Sequence, residues 1–232
     1  MTRSGVDWLA GIFESCSVVA NHMSAETTNA LTNALHAIFL FLYLTGSTKH
    51  YIRNNKYFTG WIVTFFLILF VLKLMGVYVH YYPSKGGISN VWIAISHLVV
   101  FLNYVVVHGM ETPNIFRSFT VLISLLFSFL FIVNGGGFVY LALPLTLIYI
   151  AAAYYSRCLL RLGFLLVVAS NVIWITVREI TSFWVGYELP VHLRFDNDLY
   201  HLMLIASTLI IYQAILRGYW ANPSVVKAEC DS

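Results

Sequence analysis

Charge is what this chain has least of. Asp, Glu, Lys and Arg make up 10% of its 232 residues, against roughly 25% in soluble domains. That shortage excludes a water-covered surface, because 59% of the residues are hydrophobic and 16% aromatic. A bundle surrounded by lipid can be apolar outside as well as inside. Cysteine is also sparse: Cys16, Cys158 and Cys230 lie far apart with no CxxC or Cys/His pairing, so neither a cysteine metal site nor a disulfide framework is implied. The chain lacks a basic face. Its net charge is +3 and its cations are scattered through short connecting segments, which argues against nucleic acid as a partner. Internal repeats, low-complexity tracts and long linkers are absent as well. Asp7 and Glu14 interrupt what would have to be the apolar core of a cleavable signal, so the first spanning helix is expected to do the targeting.

What is present is a series of apolar runs long enough to cross about 30 Å of hydrocarbon. They cover 29–45, 57–78, 91–107, 116–133, 138–155, 159–177 and 199–216. Between them lie GSTKHYIRNNK, YYPSKGG, METPN, NGGG, SRC and YELPVHLRFDND, each rich in turn residues or charge. The expected fold is all-α: a polytopic membrane protein with a bundle of seven transmembrane helices. An amphipathic interfacial segment with Trp8 occupies 1–24, the bundle 25–218 and a tail 219–232. Pro144 sits inside the fifth run, where a membrane helix tolerates it as a kink. Lys49, Arg53 and Lys56 in the first loop, Arg117 in the third, Arg157 and Arg161 in the fifth and Arg217 and Lys227 in the tail outnumber the cations of the other side. The expected orientation is N-terminus outside or luminal and C-terminus cytosolic.

Ionisable residues inside a membrane bundle are functional candidates by default. Glu26, Asn29, Asn33 and His36 recur every three or four residues and share a face of the first helix. Lys73, Gly76 and His80 share one on the second; Lys73 is expected to snorkel or to pair with an acid. Odd helices start, and even helices end, on one side of the membrane. Glu26, His80, Asn90, Glu179, Asp198 and His201 therefore fall near the same face, where they can converge on one polar pocket lined also by Asn29, Asn33 and Asn197. The plainer alternatives are headgroup snorkelling at helix ends and, for Asn29 and Asn33, interhelical hydrogen bonding.

Residues 25–33, AETTNALTN, carry Glu26, Asn29, Thr32 and Asn33 at the spacing of E-x-x-N-x-x-[ST]-[NH]. In this the chain resembles the ceramidase-like superfamily of seven-helix proteins, which includes alkaline ceramidases and the progestin and adipoQ receptors. The superfamily has Ser-x3-His late in the second helix, Asp at the start of the third and His-x3-His opening the seventh, the histidines holding zinc. The corresponding positions here are Gly76 and His80, Asn90, and Asn197 and His201. Asp7-Trp8 is similar to an Asp-Trp pair that helps build a calcium site in alkaline ceramidases. The resemblance implies a zinc site with His80 and His201 as ligands. The third ligand is expected to be Asp198, with Asp196, His192 and Glu179 as alternatives. Asn90 or Glu26 would support a metal-bound water attacking a lipid amide or ester at headgroup depth.

Gly76, Asn90 and Asn197 each replace a charged, proton-donating or metal-ligating residue of that pattern. Two further readings therefore stand beside a zinc-dependent hydrolase of a membrane lipid. One is a non-catalytic receptor or a subunit of a membrane assembly, with a pocket free of metal or closed by hydrogen bonds among Asn29, Asn33, Asn197 and His201. The other is a proton or ion pathway through Glu26, Lys73, His80, Glu179 and His201, which the inner halves of the helices give few polar groups to continue.

Overall fold

Lipid offers the backbone no hydrogen-bond partner, so each membrane-spanning segment of such a chain must satisfy its own N–H and C=O groups. The structure, a computed structural model, describes residues 25–53, 60–82, 89–110, 112–177 and 196–218. Among them there are seven α-helices and no strand: α1 Ala25–Arg53, α2 Gly60–Tyr81, α3 Asn90–Gly109, α4 Asn114–Val133, α5 Val139–Tyr155, α6 Cys158–Ile175 and α7 Asp196–Leu216. Six are long and apolar enough to cross a membrane; α5, with 17 residues and an internal Pro144, is shorter. The chain is an integral multi-pass membrane protein. Each helix packs against the next, α7 closes on α1, and α3 also packs across on α5. The segments 1–24 and 219–232 lie outside the described residues.

The helix boundaries follow local chemistry. Ser89 caps α3 by accepting from the Trp92 N–H. The α4–α5 turn needs left-handed backbone at Gly135 and Gly136, with φ of 72° and 95°, which glycine adopts without a Cβ clash. There the Gly136 N–H returns to the Phe131 carbonyl at 2.8 Å. The α5–α6 break is held by Arg161, whose Nε donates to the carbonyls of Ser156 and Ala153 at 3.0 and 3.2 Å, supplying partners that a helix end otherwise lacks. Cys158, at the same break, is disulfide-bonded, contrary to the expectation from spacing; the other two cysteines lie outside the described residues.

The first helix differs most from its expected span. It continues through GSTKHYIR to Arg53, residues expected to form a loop. Gly46 acts there as a point of close approach. A Cβ at residue 46 would meet the Tyr212 hydroxyl of α7. Tyr212 is itself stacked on Tyr43 at 4.6 Å and set edge-on to Phe66 at 5.7 Å. Thr48 stays in the helix by donating to the Leu44 carbonyl at 2.8 Å.

The fourth helix is patterned inside out. Its buried positions include Thr120, Ser124 and Ser128, while Leu122 and Phe129 are 66% and 61% exposed. Large apolar side chains on the outer face suit lipid, and small polar ones let helices approach and hydrogen-bond across the interface. Asn103 of α3 donates to Ser124 at 3.0 Å, and Ser128 donates to Ser96 of α3 at 3.0 Å. A second apolar layer joins α1, α2, α6 and α7 through Leu40, Phe66, Phe164 and Ile211. In lipid this layer is stabilised by packing more than by removal from water.

The Gly46–Tyr212 contact yields a prediction. Gly46→Ala is expected to lower unfolding stability in detergent by about 1–3 kcal/mol through overpacking. Combining it with Tyr212→Phe should recover most of that loss, giving a clear coupling energy in a double-mutant cycle. Additive losses would mean that the two residues do not share the contact.

Candidate functional site

The first and last helices of the bundle meet along a polar seam. On α1, Thr32, Asn33 and His36 follow the three-to-four residue spacing that puts them on one face, and that face meets α7. Thr32 Oγ1 donates to Asp198 Oδ1 at 3.2 Å. Asn33 Nδ2 lies 3.0 Å from His201 Nε2 and 2.8 Å from the Asn29 carbonyl. His36 Nε2 lies 3.1 Å from Thr208 Oγ1. Across from the seam, Lys73 of α2 places Nζ 3.1 Å from His201 Nδ1 and 6.0 Å from the centre of the Tyr200 ring. Asn33 and His201 are 2% and 5% exposed.

Beside this seam lies a cavity of about 410 Å³, within the range of small-molecule sites. Asn33, Lys73, His80, Asn197 and His201 line its polar part, and Phe65, Trp92, Phe138, Tyr149 and Trp174 much of its apolar wall. No carboxylate stands among the described residues that line it. Asn171 of α6 also lines the cavity; it is 1% exposed, and neither its amide oxygen nor its amide nitrogen has a protein partner. A buried amide in that condition loses about 1–3 kcal/mol relative to a paired one. Both atoms are sealed from the cavity space, so the amide is a cost of the packing here and not an open contact.

Proton accounting fixes the seam. The Asn33 amide faces the Asn29 carbonyl, so its nitrogen must be on that side; the flipped amide would set two acceptors against each other at 2.8 Å. Its second hydrogen then points to His201 Nε2, which accepts. A neutral imidazole that accepts at Nε2 carries its proton on Nδ1. That Nδ1–H faces Lys73 Nζ, and the contact is a hydrogen bond only if Nζ accepts it as an amine. An ammonium donating to Nδ1 would instead leave an Nε2–H pointing at the Asn33 N–H. Of the two neutral tautomers of His201, only this one suits both of its ring contacts, and it meets Lys73 as a free amine.

The structure brings together some of the expected site residues and not others. His80, Asn33, Asn197 and His201 share the cavity wall. Asp198 takes a hydrogen bond from Thr32. Asn29 lies beneath Asn33, to which it presents its carbonyl, while its own side-chain oxygen is buried without a partner. Asn90 is the first residue of α3, exposed and not part of the cavity lining. Glu179, His192 and the side chains of Glu26 and Asp196 lie outside the described residues. Lys73, expected to snorkel or to pair with an acid, has His201 as its partner among the described residues. Two members of the site carried less weight in the sequence than they do here. Lys73 was visible as a cation in a long apolar run, whereas Asn171 gave only the weaker signal of a lone amide in one.

The same arrangement bears on zinc. His201 has Nε2 occupied by the Asn33 amide and a proton on Nδ1, so the ring as held offers no lone pair to a metal. Among the described residues, no three His, Cys, Asp or Glu side chains gather as a ligand set. Of the expected ligands, His80 and His201 share the cavity wall, while the alternative third ligands Asp196, His192 and Glu179 have side chains outside the described residues.

These features define a class, a multi-pass helical membrane protein with an aromatic-walled cavity and a hydrogen-bonded polar seam. Comparison with protein-family profiles, curated proteins and solved structures gives no match to this chain. The resemblance to the ceramidase-like superfamily rests on the short motifs quoted above.

Asn33→Ala is expected to cost about 1–3 kcal/mol of stability, because it leaves His201 Nε2 buried and unpaired. Thr32→Val, which removes a partly buried hydroxyl from an interhelical bond, should cost less than about 1 kcal/mol. Unfolding in detergent by a denaturant titration measures both, and equal costs would contradict the central place given to Asn33.

Proposed function

We propose that this chain is a non-catalytic, intramembrane binding protein for an amphiphilic small molecule or lipid, acting as a receptor or as a subunit of a membrane assembly. The carrying observation is the cavity of about 410 Å³, whose wall is mostly apolar and aromatic but holds the polar side chains of Lys73, His80 and Asn197 at one part. Such a wall suits a guest with an apolar body and a hydrogen-bonding group. The seam supports binding over hydrolysis, since Asn33 and Lys73 engage both nitrogens of His201. In the same reading the polar end of the cavity faces the outer or luminal side, the C-terminus is cytosolic, and membrane lipid is the source of the guest.

The motifs support a second reading, a divergent zinc-dependent hydrolase of a lipid amide or ester. It requires His201 to turn away from Asn33 and Lys73. One preparation tests both readings. Detergent-purified protein is extracted for mass spectrometry of bound small molecules and, in parallel, analysed for metal. The expected result is a co-purifying amphiphile near one per chain, lost in a monodisperse Leu102→Trp variant that fills the cavity. Stoichiometric zinc in the wild type, absent from His80→Ala and His201→Ala, would overturn the binding reading in favour of the hydrolase.

A further inference from the structure

An amine in a dry cavity is a different chemical object from the ammonium that lysine carries in water. Lys73 lies at the interior of α2, on the cavity wall, with no carboxylate among the described lining residues to hold a positive charge. The hydrogen-bond accounting leaves its Nζ as an acceptor from the Nδ1–H of His201. A primary amine whose lone pair is released from that hydrogen bond is a nucleophile toward carbonyl carbon. The cavity beside it is large enough for a small guest and is walled by Trp92, Phe138 and Tyr149, which favour an apolar body.

We infer that Lys73 is a covalent anchoring site for an apolar aldehyde, which it holds as a Schiff base inside the cavity. The inference rests on the binding reading above and specifies the reactive group of the guest. In the reaction the Nζ lone pair forms a C–N bond to the aldehyde carbon, and the C=O π electrons move to oxygen. One proton passes from the cationic nitrogen of the adduct to that oxygen, giving the neutral carbinolamine, while the Nδ1–H of His201, 3.1 Å from Nζ, is placed to donate a hydrogen bond to the oxygen as it gains charge. Loss of the oxygen as water, with the second nitrogen proton, leaves C=N. The balance is amine plus aldehyde giving imine plus water, with no oxidant or reductant. His201 is placed as a hydrogen-bond donor to the developing oxyanion, and Asn33 keeps its ring in the required tautomer.

The test uses wild-type protein in detergent with hexadecanal as the probe. Sodium cyanoborohydride reduces any imine to a stable secondary amine, and peptide mass mapping locates it. At neutral pH, Lys73 is expected to be labelled at least tenfold faster than Lys49, an exposed lysine on the same protein. His201→Gln should slow labelling of Lys73 while leaving that of Lys49 unchanged. Lys73 labelled no faster than Lys49 overturns the inference. A parallel measurement of hexadecanol retention separates the two levels of the argument. Retention of the alcohol without labelling of Lys73 removes the covalent step and leaves the binding reading, whereas loss of both removes the two together.

Discussion

Water is missing from the interior of a bilayer, and most of this structure answers that absence. Backbone groups are satisfied by running the chain as helices, and polar side chains must then find each other. Among the described residues they do so along two helix pairs, with Lys73 of α2 joining His201 of α7 beside the second. Between α3 and α4, Ser96 pairs with Ser128 and Asn103 with Ser124. Between α1 and α7 the pairs are Thr32 with Asp198, Asn33 with His201 and His36 with Thr208. The apolar layers fill the spaces that these polar contacts define.

The spans were legible because length and apolarity are nearly sufficient to mark a membrane helix. The shared face of Asn29, Asn33 and His36 was legible too, since helical spacing is a local property. Three things were not. The first was the continuation of α1 past Gly46, because a glycine followed by Ser, Thr and Lys reads as a loop until Tyr212 of a distant helix is known to lie against it. The second was the inverted face of α4: Thr120, Ser124 and Ser128 are too small and too neutral to stand out in an apolar run. The third was the partner of Lys73. Depth alone suggested an acid, but the choice of His201 depends on how α2 and α7 sit across the cavity.

The departures from the superfamily pattern are linked in space. Gly76 occupies the position where that pattern has Ser, and a Cβ there would come within 2.9 Å of Asn33 Oδ1. The missing side chain makes room for the Asn33 amide, and that amide fixes the tautomer of His201. His201 in turn sets the state of Lys73. Gly76, Asn33, His201 and Lys73 therefore form one set of polar contacts on three helices. Residue-by-residue comparison with a motif treats these positions as independent, which their geometry does not allow.

The seam between α1 and α7 has a consequence for how the protein is made. Of the six helices long enough to span, α1 is the least apolar, and its buried Asn33 and His36 find side-chain partners on α7. Synthesis delivers α1 well before α7, with the intervening five helices between them. Until α7 arrives, the nascent chain must keep a polar stripe in or near the bilayer without its final partners. The cavity cannot close before α7 has followed the five helices between them, so a chaperone or insertase that shields α1 would act throughout the insertion of those helices.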